Sequence, residues 1–225
     1  MSHKLITVFC LLFSTTFYDN KIYYNCVYPT VIVKGPGVGS GVIVQSKWNG
    51  HEYENIVFSV YHVSKNNGDY LYTISVPNYN EKFQFKSWSG YFFAVSRGDH
   101  LKDISVLKFI SDRELPHTQI DWDFHLKVND TITKVGCGNT EEPHTNFGVV
   151  KSLNANIKEK TDLYGNYLRK DLMITNAGAI PGDSGGGIYH NNKLVGLTVA
   201  MRGKNETFFL SIRNNFTPND LGGIK

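Results

Sequence analysis

The stretch "IPGDSGGGIY" over residues 180–189 surrounds one hydroxyl, Ser184, with four glycines, Gly182, Gly185, Gly186 and Gly187. A serine hydroxyl is a weak nucleophile. To act as one it needs a base within hydrogen-bond reach, a group that orients the base, and donors aimed at the oxyanion that develops. Glycines open backbone conformations closed to other residues, which lets the N–H groups of Gly182 and Ser184 point at one spot beside the hydroxyl. A glycine-rich β-turn fits the same letters, so the partners have to decide.

For the base, "NIVFSVYHVSKNNG" places His62 at the end of an apolar strand, just before a polar turn. The other histidines are less suited: His3 lies in the N-terminal segment, His51, His100, His117, His144 and His190 in turn-like contexts, and His125 in a polar connector. For the orienting carboxylate, "DHLKDISVLKF" sets Asp103 immediately before an alternating strand, with Asp99 a near competitor and Asp121 and Asp123 weaker ones. A histidine after a strand and an aspartate before one are each ordinary structural residues taken singly. Gly182-x-Ser184-x-Gly186 also matches the nucleophile elbow of α/β-hydrolases, which requires an acid and then a histidine after the serine. His190, the sole later histidine, precedes every later acidic residue, so that reading fails.

Rigid elements must position these groups. The chain reads as short apolar or alternating runs separated by Gly, Asn, Asp and Pro: "VIVKGPGVGSGVIV", "NIVFSV", "YLYTISV", "FQFKSW", "ISVLKF", "TITKVG", "NFGVVKSL", "LMITN", "KLVGLTVA" and "TFFLSI". Without an amphipathic helix of ordinary length, this pattern predicts an all-β sandwich or barrel. The polar "SDRELPHTQIDWDFHLKVND", carrying Pro116, marks a seam that divides the strands into comparable halves. The 225 residues, 41% apolar, can bury a real core. A net charge of +3 without any run of like charge argues against a nucleic-acid partner.

The three segments "FSVYHV", "DISVLKF" and "PGDSGGGIY", in the order His, Asp, Ser, together resemble the trypsin-like, chymotrypsin-fold serine peptidases. "GSGVIV", "NFGVVKSL" and "ITNAGAIPGDSGGG" are similar to the bacterial HtrA-like members, and the resemblance runs from about Val31 to Ile212. It implies two antiparallel six-stranded β-barrels with the active site in the cleft between them. Residues 25–115 are then an N-terminal barrel carrying His62 and Asp103, and residues 116–225 a C-terminal barrel carrying Ser184. It also implies a serine endopeptidase working through an acyl-enzyme on protein or peptide substrates, without cofactor or metal. His62 would serve as base, Asp103 as its orienting acid, and Gly182 and Ser184 N–H groups as oxyanion donors. Two alternatives stand beside this: a double barrel that binds peptides without cutting them, and a viral-type processing peptidase that cuts one junction.

Gly178, Thr198, Val199 and Ala200 are the implied walls of the first substrate pocket, and none is charged, which predicts a small or medium apolar side chain on the acyl side of the cut. Phe208 or Phe209 could narrow that pocket or simply pack in the core. The sequence departs from the animal digestive enzymes, where a freed N-terminal amine pairs with the aspartate beside the nucleophile. No basic residue followed by Ile-Val-Gly-Gly occurs here, so Asp183 is expected either to use another cation or to stay solvated. No PDZ-like segment is expected after "TFFLSI".

Residues 1–24 read as a signal peptide or an N-terminal strand: the apolar run Leu5 to Phe13 follows a lysine and is too short to span a bilayer. The signal reading implies a secreted or periplasmic protein with no stable membrane insertion. Cys10 would leave with it, and Cys26 and Cys137 would remain as a disulfide pair or as two buried thiols. Sequons at Asn129, Asn205 and Asn215 discriminate nothing. Cys137, Glu141 and His144 lack zinc-site spacing.

Overall fold

The computed structural model describes residues 20–65, 73–161, 165–203 and 205–221. Among the described residues, twelve strands form two closed antiparallel barrels of six. The first barrel holds β1 (Thr30–Lys34), β2 (Val38–Trp48), β3 (Tyr53–Ser59), β4 (Thr73–Tyr79), β5 (Phe85–Asp99) and β6 (Ile104–Ser111), ordered β1-β2-β3-β6-β5-β4 and closed by β1 against β4. The second holds β7 (Thr131–Gly136), β8 (His144–Thr161), β9 (Gly165–Thr175), β10 (Gly187–His190), β11 (Lys193–Arg202) and β12 (Glu206–Ser211), ordered β10-β11-β12-β9-β8-β7 and closed by β10 against β7. Closure leaves neither sheet an exposed edge.

Near-continuous apolar runs, covered on both faces, build the barrels: β1, β2, β3 and β6 each carry four or more consecutive buried residues. Val31, Val33, Val42, Ile43, Val57, Ile74, Val106 and Leu107 fill the first core, and Ile132, Val150, Ile188, Val195 and Phe209 form a cluster in the second. The connector 112–130 is largely without strand, apart from Ile120 bridging to Leu194 on β11. Residues 20–27 are helical, not extended, so the described part of the N-terminal segment is no strand. The apolar run Leu5 to Phe13 lies outside the described residues. Among the described residues no helix is long and apolar enough to cross a membrane.

The barrels are tied together by contacts distant in sequence. The chain leaves β12 through a one-turn helix, Ile212–Asn215, and Phe216 then stacks on Phe58 of β3 with ring centroids 4.1 Å apart. Arg97 on β5 grips Asp220 through both carboxylate oxygens at 2.6 and 2.7 Å. Cys26 and Cys137 are buried free thiols, so among the described residues there is no disulfide. Burial pushes the Cys26 thiol up to about 12, which leaves it protonated and inert at neutral pH.

Candidate active site

His62 lies in a one-turn helix, Tyr61–Ser64, immediately after β3, and not on the strand itself. Four residues are too few to show helical periodicity in sequence. The turn is pinned to β6 by a hydrogen bond from Ser64 Oγ to Ser105 Oγ at 2.5 Å. Asp103, at the entry of β6, is buried and holds the left-handed φ of 55°. Aspartate tolerates that conformation better than most residues, but it costs energy, and here the carboxylate contacts oppose the strain. Its Oδ1 accepts the His62 backbone N–H at 2.9 Å, and Nδ1 of the ring lies 2.8 Å from Oδ2 and 3.1 Å from Oδ1. An ionised carboxylate only accepts, so Nδ1 carries the proton and the lone pair sits on Nε2. Asp99, the competing carboxylate, instead accepts the Leu101 and Lys102 N–H groups in the turn after β5.

Ser184 sits in the loop between β9 and β10, and the loop's amides divide into two groups. Asp183 N–H bonds the Ile180 carbonyl, Gly185 N–H the Thr198 carbonyl, and Gly186 N–H the Asp183 carbonyl, at 2.8–3.1 Å. Among the described residues, the N–H groups of Gly182 and Ser184 have no partner within the chain. Part of the loop's shape depends on Gly182 and Gly185, at φ 97° and 87°. A Cβ on Gly185 would come within 2.1 Å of the Ser40 carbonyl oxygen. Ser184 Oγ donates to the Val199 carbonyl at 3.2 Å and not to His62.

The loop hangs from the first barrel and from β7. Ser40 on β2 donates its N–H to the Ser184 carbonyl at 2.7 Å and its hydroxyl to the Gly182 carbonyl at 2.8 Å, while accepting Cys137 N–H at 2.8 Å. Asp183 turns inward, 1% exposed, onto the ammonium of Lys134, itself wholly buried on β7. The same carboxylate accepts N–H groups of Gly138 at 3.0 Å and Ile180 at 2.9 Å, with His144 Nε2 at 3.2 Å. Burial alone would push the Asp183 carboxyl up, but the His144, Lys134 and Ile180 contacts outweigh it and hold it below the usual carboxylate range. Burial draws the Lys134 ammonium down, and the carboxylate opposes this. Asp183 is therefore neither solvated nor dependent on a freed amine: a cation from the chain's own interior holds it.

The trypsin family's sequence model matches residues 40–218, from the clamp serine of β2 past β12. The chain belongs to the trypsin family. Membership makes it a serine-type peptidase, a hydrolase of a class that acts on protein substrates. Among curated proteins none matches the sequence. Of solved structures, the MamO protease domain from Magnetospirillum magneticum is similar at 19% identity and a TM-score of 0.67, over 85% of this chain and 96% of that one. Deg5 is similar at 18% identity and a TM-score of 0.65, over 87% and 89% of the two chains. The serine endoprotease from Yersinia pestis is similar at 16% and 0.61; the match covers 85% of this trypsin-family chain but 61% of the longer protein. At these identities the likeness establishes the fold.

The four residues expected to wall a substrate pocket are not equally placed in this trypsin-family barrel. Thr198 and Val199 run directly beside the serine loop, through the bonds of Thr198 to Gly185 and Gly186 and of Val199 to Ser184 Oγ. Ala200 is half-buried on β11 opposite Phe208, and Gly178 is half-buried between the buried Ala177 and Ala179, before the loop. Phe208 and Phe209 are both buried, each in a hydrophobic core cluster. Ser40, Lys134 and His144 were not singled out in sequence as part of this site. Lys134 shares a face of β7 with Ile132 and Gly136, but Val135 on the other face is buried too, so the period alone gives Lys134 no distinct signal.

Gly136 makes the dependence on Asp183 testable. A Cβ there would lie 2.4 Å from Asp183 Oδ1, so Gly136→Ala must displace the carboxylate from its donors. The variant is expected to lose about 2–4 kcal/mol of stability, measured by urea denaturation, with a parallel loss of peptidase activity in whatever fraction still folds.

Proposed function

We propose that this trypsin-family chain is an endopeptidase whose acyl transfer runs on Ser184, His62 and Asp103, with the Gly182 and Ser184 N–H groups as oxyanion donors. The observation that carries this reading is the pair of unspent amides at Gly182 and Ser184, set among the bonded amides of Asp183, Gly185 and Gly186. A plain turn would have no use for two such donors. In the reaction, Ser184 Oγ leaves the Val199 carbonyl by rotating about χ1 and turns to His62 Nε2. It attacks the scissile carbonyl while Nε2 takes its proton, and Asp103 stabilises the imidazolium through Nδ1–H. The carbonyl oxygen, now anionic, takes up the two amides. His62 returns the proton to the leaving amine, and a water activated by the same Nε2 then hydrolyses the acyl-enzyme.

Covalent labelling by a fluorophosphonate probe tests this reading, with Ser184→Ala as control. Labelling of the folded native chain that vanishes in the variant is expected. Failure of the native chain to label would favour a double barrel that binds peptides without cutting, with the hydroxyl held on Val199. The uncharged Thr198, Val199 and Ala200 lead us to propose a small or medium apolar residue on the acyl side of the cut. A peptide-library profile dominated by Arg or Lys would overturn that, and cleavage confined to one sequence would support a single-junction processing enzyme.

A further inference from the structure

Asp103 has a second partner from the other barrel. Arg169 on β9 sets its Nη1 2.6 Å from Asp103 Oδ2, the same oxygen that faces His62 Nδ1. The arginine side chain is 5% exposed and the aspartate 2%. Both are thus out of water, where charge interactions are weakly screened. A guanidinium does not deprotonate at any working pH, so its charge is constant. Such a buried ion pair is a poor device for stability alone, since an apolar pair of equal volume commonly serves as well. Its placement on the oxygen that orients the imidazole is what calls for explanation.

We propose that Arg169 is a positioning residue for the His62–Asp103 pair, an inference that rests on the catalytic reading above. It holds the Asp103 carboxylate from the side of the second barrel, and it offsets part of the negative charge that His62 faces. Less negative charge means a less favoured imidazolium, so Nε2 stays an unprotonated base to lower pH than with Asp103 alone. It also couples the β8–β9 hairpin to the geometry of a base carried entirely by the first barrel.

Other charged groups around the pair are Lys102, the chain neighbour of Asp103, Asp99 and His100 at the end of β5, and Lys170 and Asp171 next to Arg169. Lys102, Arg169, Lys170 and Asp171 line one cavity of about 450 Å³. All but Arg169 are unchanged in the variants below, so a difference between variants reports the guanidinium. The Tyr61 ring lies against His100, with ring centroids 6.2 Å apart.

The test is the pH dependence of kcat/KM, or of fluorophosphonate labelling rate, for the full chain and for Arg169→Gln, Arg169→Met and Arg169→Lys. The acid limb, which reports the free enzyme's base, is expected to move up by about one pH unit in the Gln and Met variants. It should stay within about 0.3 unit of the native position in the Lys variant, which keeps the charge. A folded Gln or Met variant with an unmoved limb overturns the inference while leaving the catalytic reading intact. Absence of labelling in the native chain defeats the catalytic reading instead. Should neither neutral variant fold, Asp103→Asn/Arg169→Gln, which removes both charges, is expected to fold with a higher Tm than Asp103→Asn alone. Its failure to do so would assign Arg169 to the core only and overturn the proposal.

Discussion

Replacing Ser184 by alanine is expected to lower kcat/KM by about 10⁴-fold or more, with the folded state nearly unchanged. The loss of turnover and the retained fold rest on different contacts. Among the described residues the hydroxyl makes one bond in the resting chain, to the Val199 carbonyl at 3.2 Å, and losing one such bond costs about 1 kcal/mol. The loop's shape is set elsewhere: by Ser40 on the Gly182 and Ser184 carbonyls, by the amides of Gly185 and Gly186, and by Asp183. Alanine leaves all of these in place. Thermal melting should therefore move by only a few degrees while turnover of a cleavable peptide collapses. His62→Ala should cost a comparable amount, and the double variant little more than either single one, because the two residues act as one unit. Activity in Ser184→Ala within tenfold of native would remove Ser184 from the chemistry.

The barrels were readable because short apolar, turn-punctuated runs survive in the sequence: "TITKVG" reads as a strand although Val135, on the face opposite Ile132 and Lys134, is buried as well. What was hidden is instructive. β10 is four residues long and begins inside the glycine run, so its "GIYH" carries too little pattern to be read apart from the loop. β8 extends to Thr161, well beyond "NFGVVKSL", through "NANIKEKT", where only Ala155 and Ile157 keep an apolar alternation before the polar "KEKT". Asp103 and His62 could be placed at strand boundaries, and the pairing of β3 with β6 within the barrel brings those boundaries together. Arg169 had no such signal. Nothing in "YLRKDL" distinguishes it from a solvated cation, since its meeting with Asp103 exists only once two barrels have docked. His144 looked like a turn residue for the same reason, until β7 and the serine loop closed over Asp183.

Lys134→Met is expected to destabilise the chain by about 3–5 kcal/mol and to cut kcat by roughly 10²–10³, effects that share one cause. The substitution keeps the volume of the aliphatic stem and removes the ammonium, which leaves a carboxylate 1% exposed without its cation. His144 and the amides of Gly138 and Ile180 still contact it, but an uncompensated buried charge seeks water, and moving Asp183 moves its neighbours. Gly182 and Ser184 flank it on either side, so the two unspent amides lose their common aim. The loss should fall on kcat more than on KM, because those donors act on charge that develops only in the transition state. Lys134→Met/Asp183→Leu, with no buried charge, should recover much of the stability but not the turnover, since the loop then lacks its anchor. The pH dependence carries a sign of its own. Asp183 has its folded carboxyl below the ordinary range, so its contribution is fully present above the unfolded value near pH 4 and is lost as pH falls through the folded one. In Lys134→Met the folded carboxyl moves back up and that contribution shrinks, so the fall in stability below about pH 4 should be shallower than in the native chain. Urea midpoints measured from pH 2 to 7 on both proteins decide it: parallel acid limbs would mean that Lys134 does not hold the Asp183 charge.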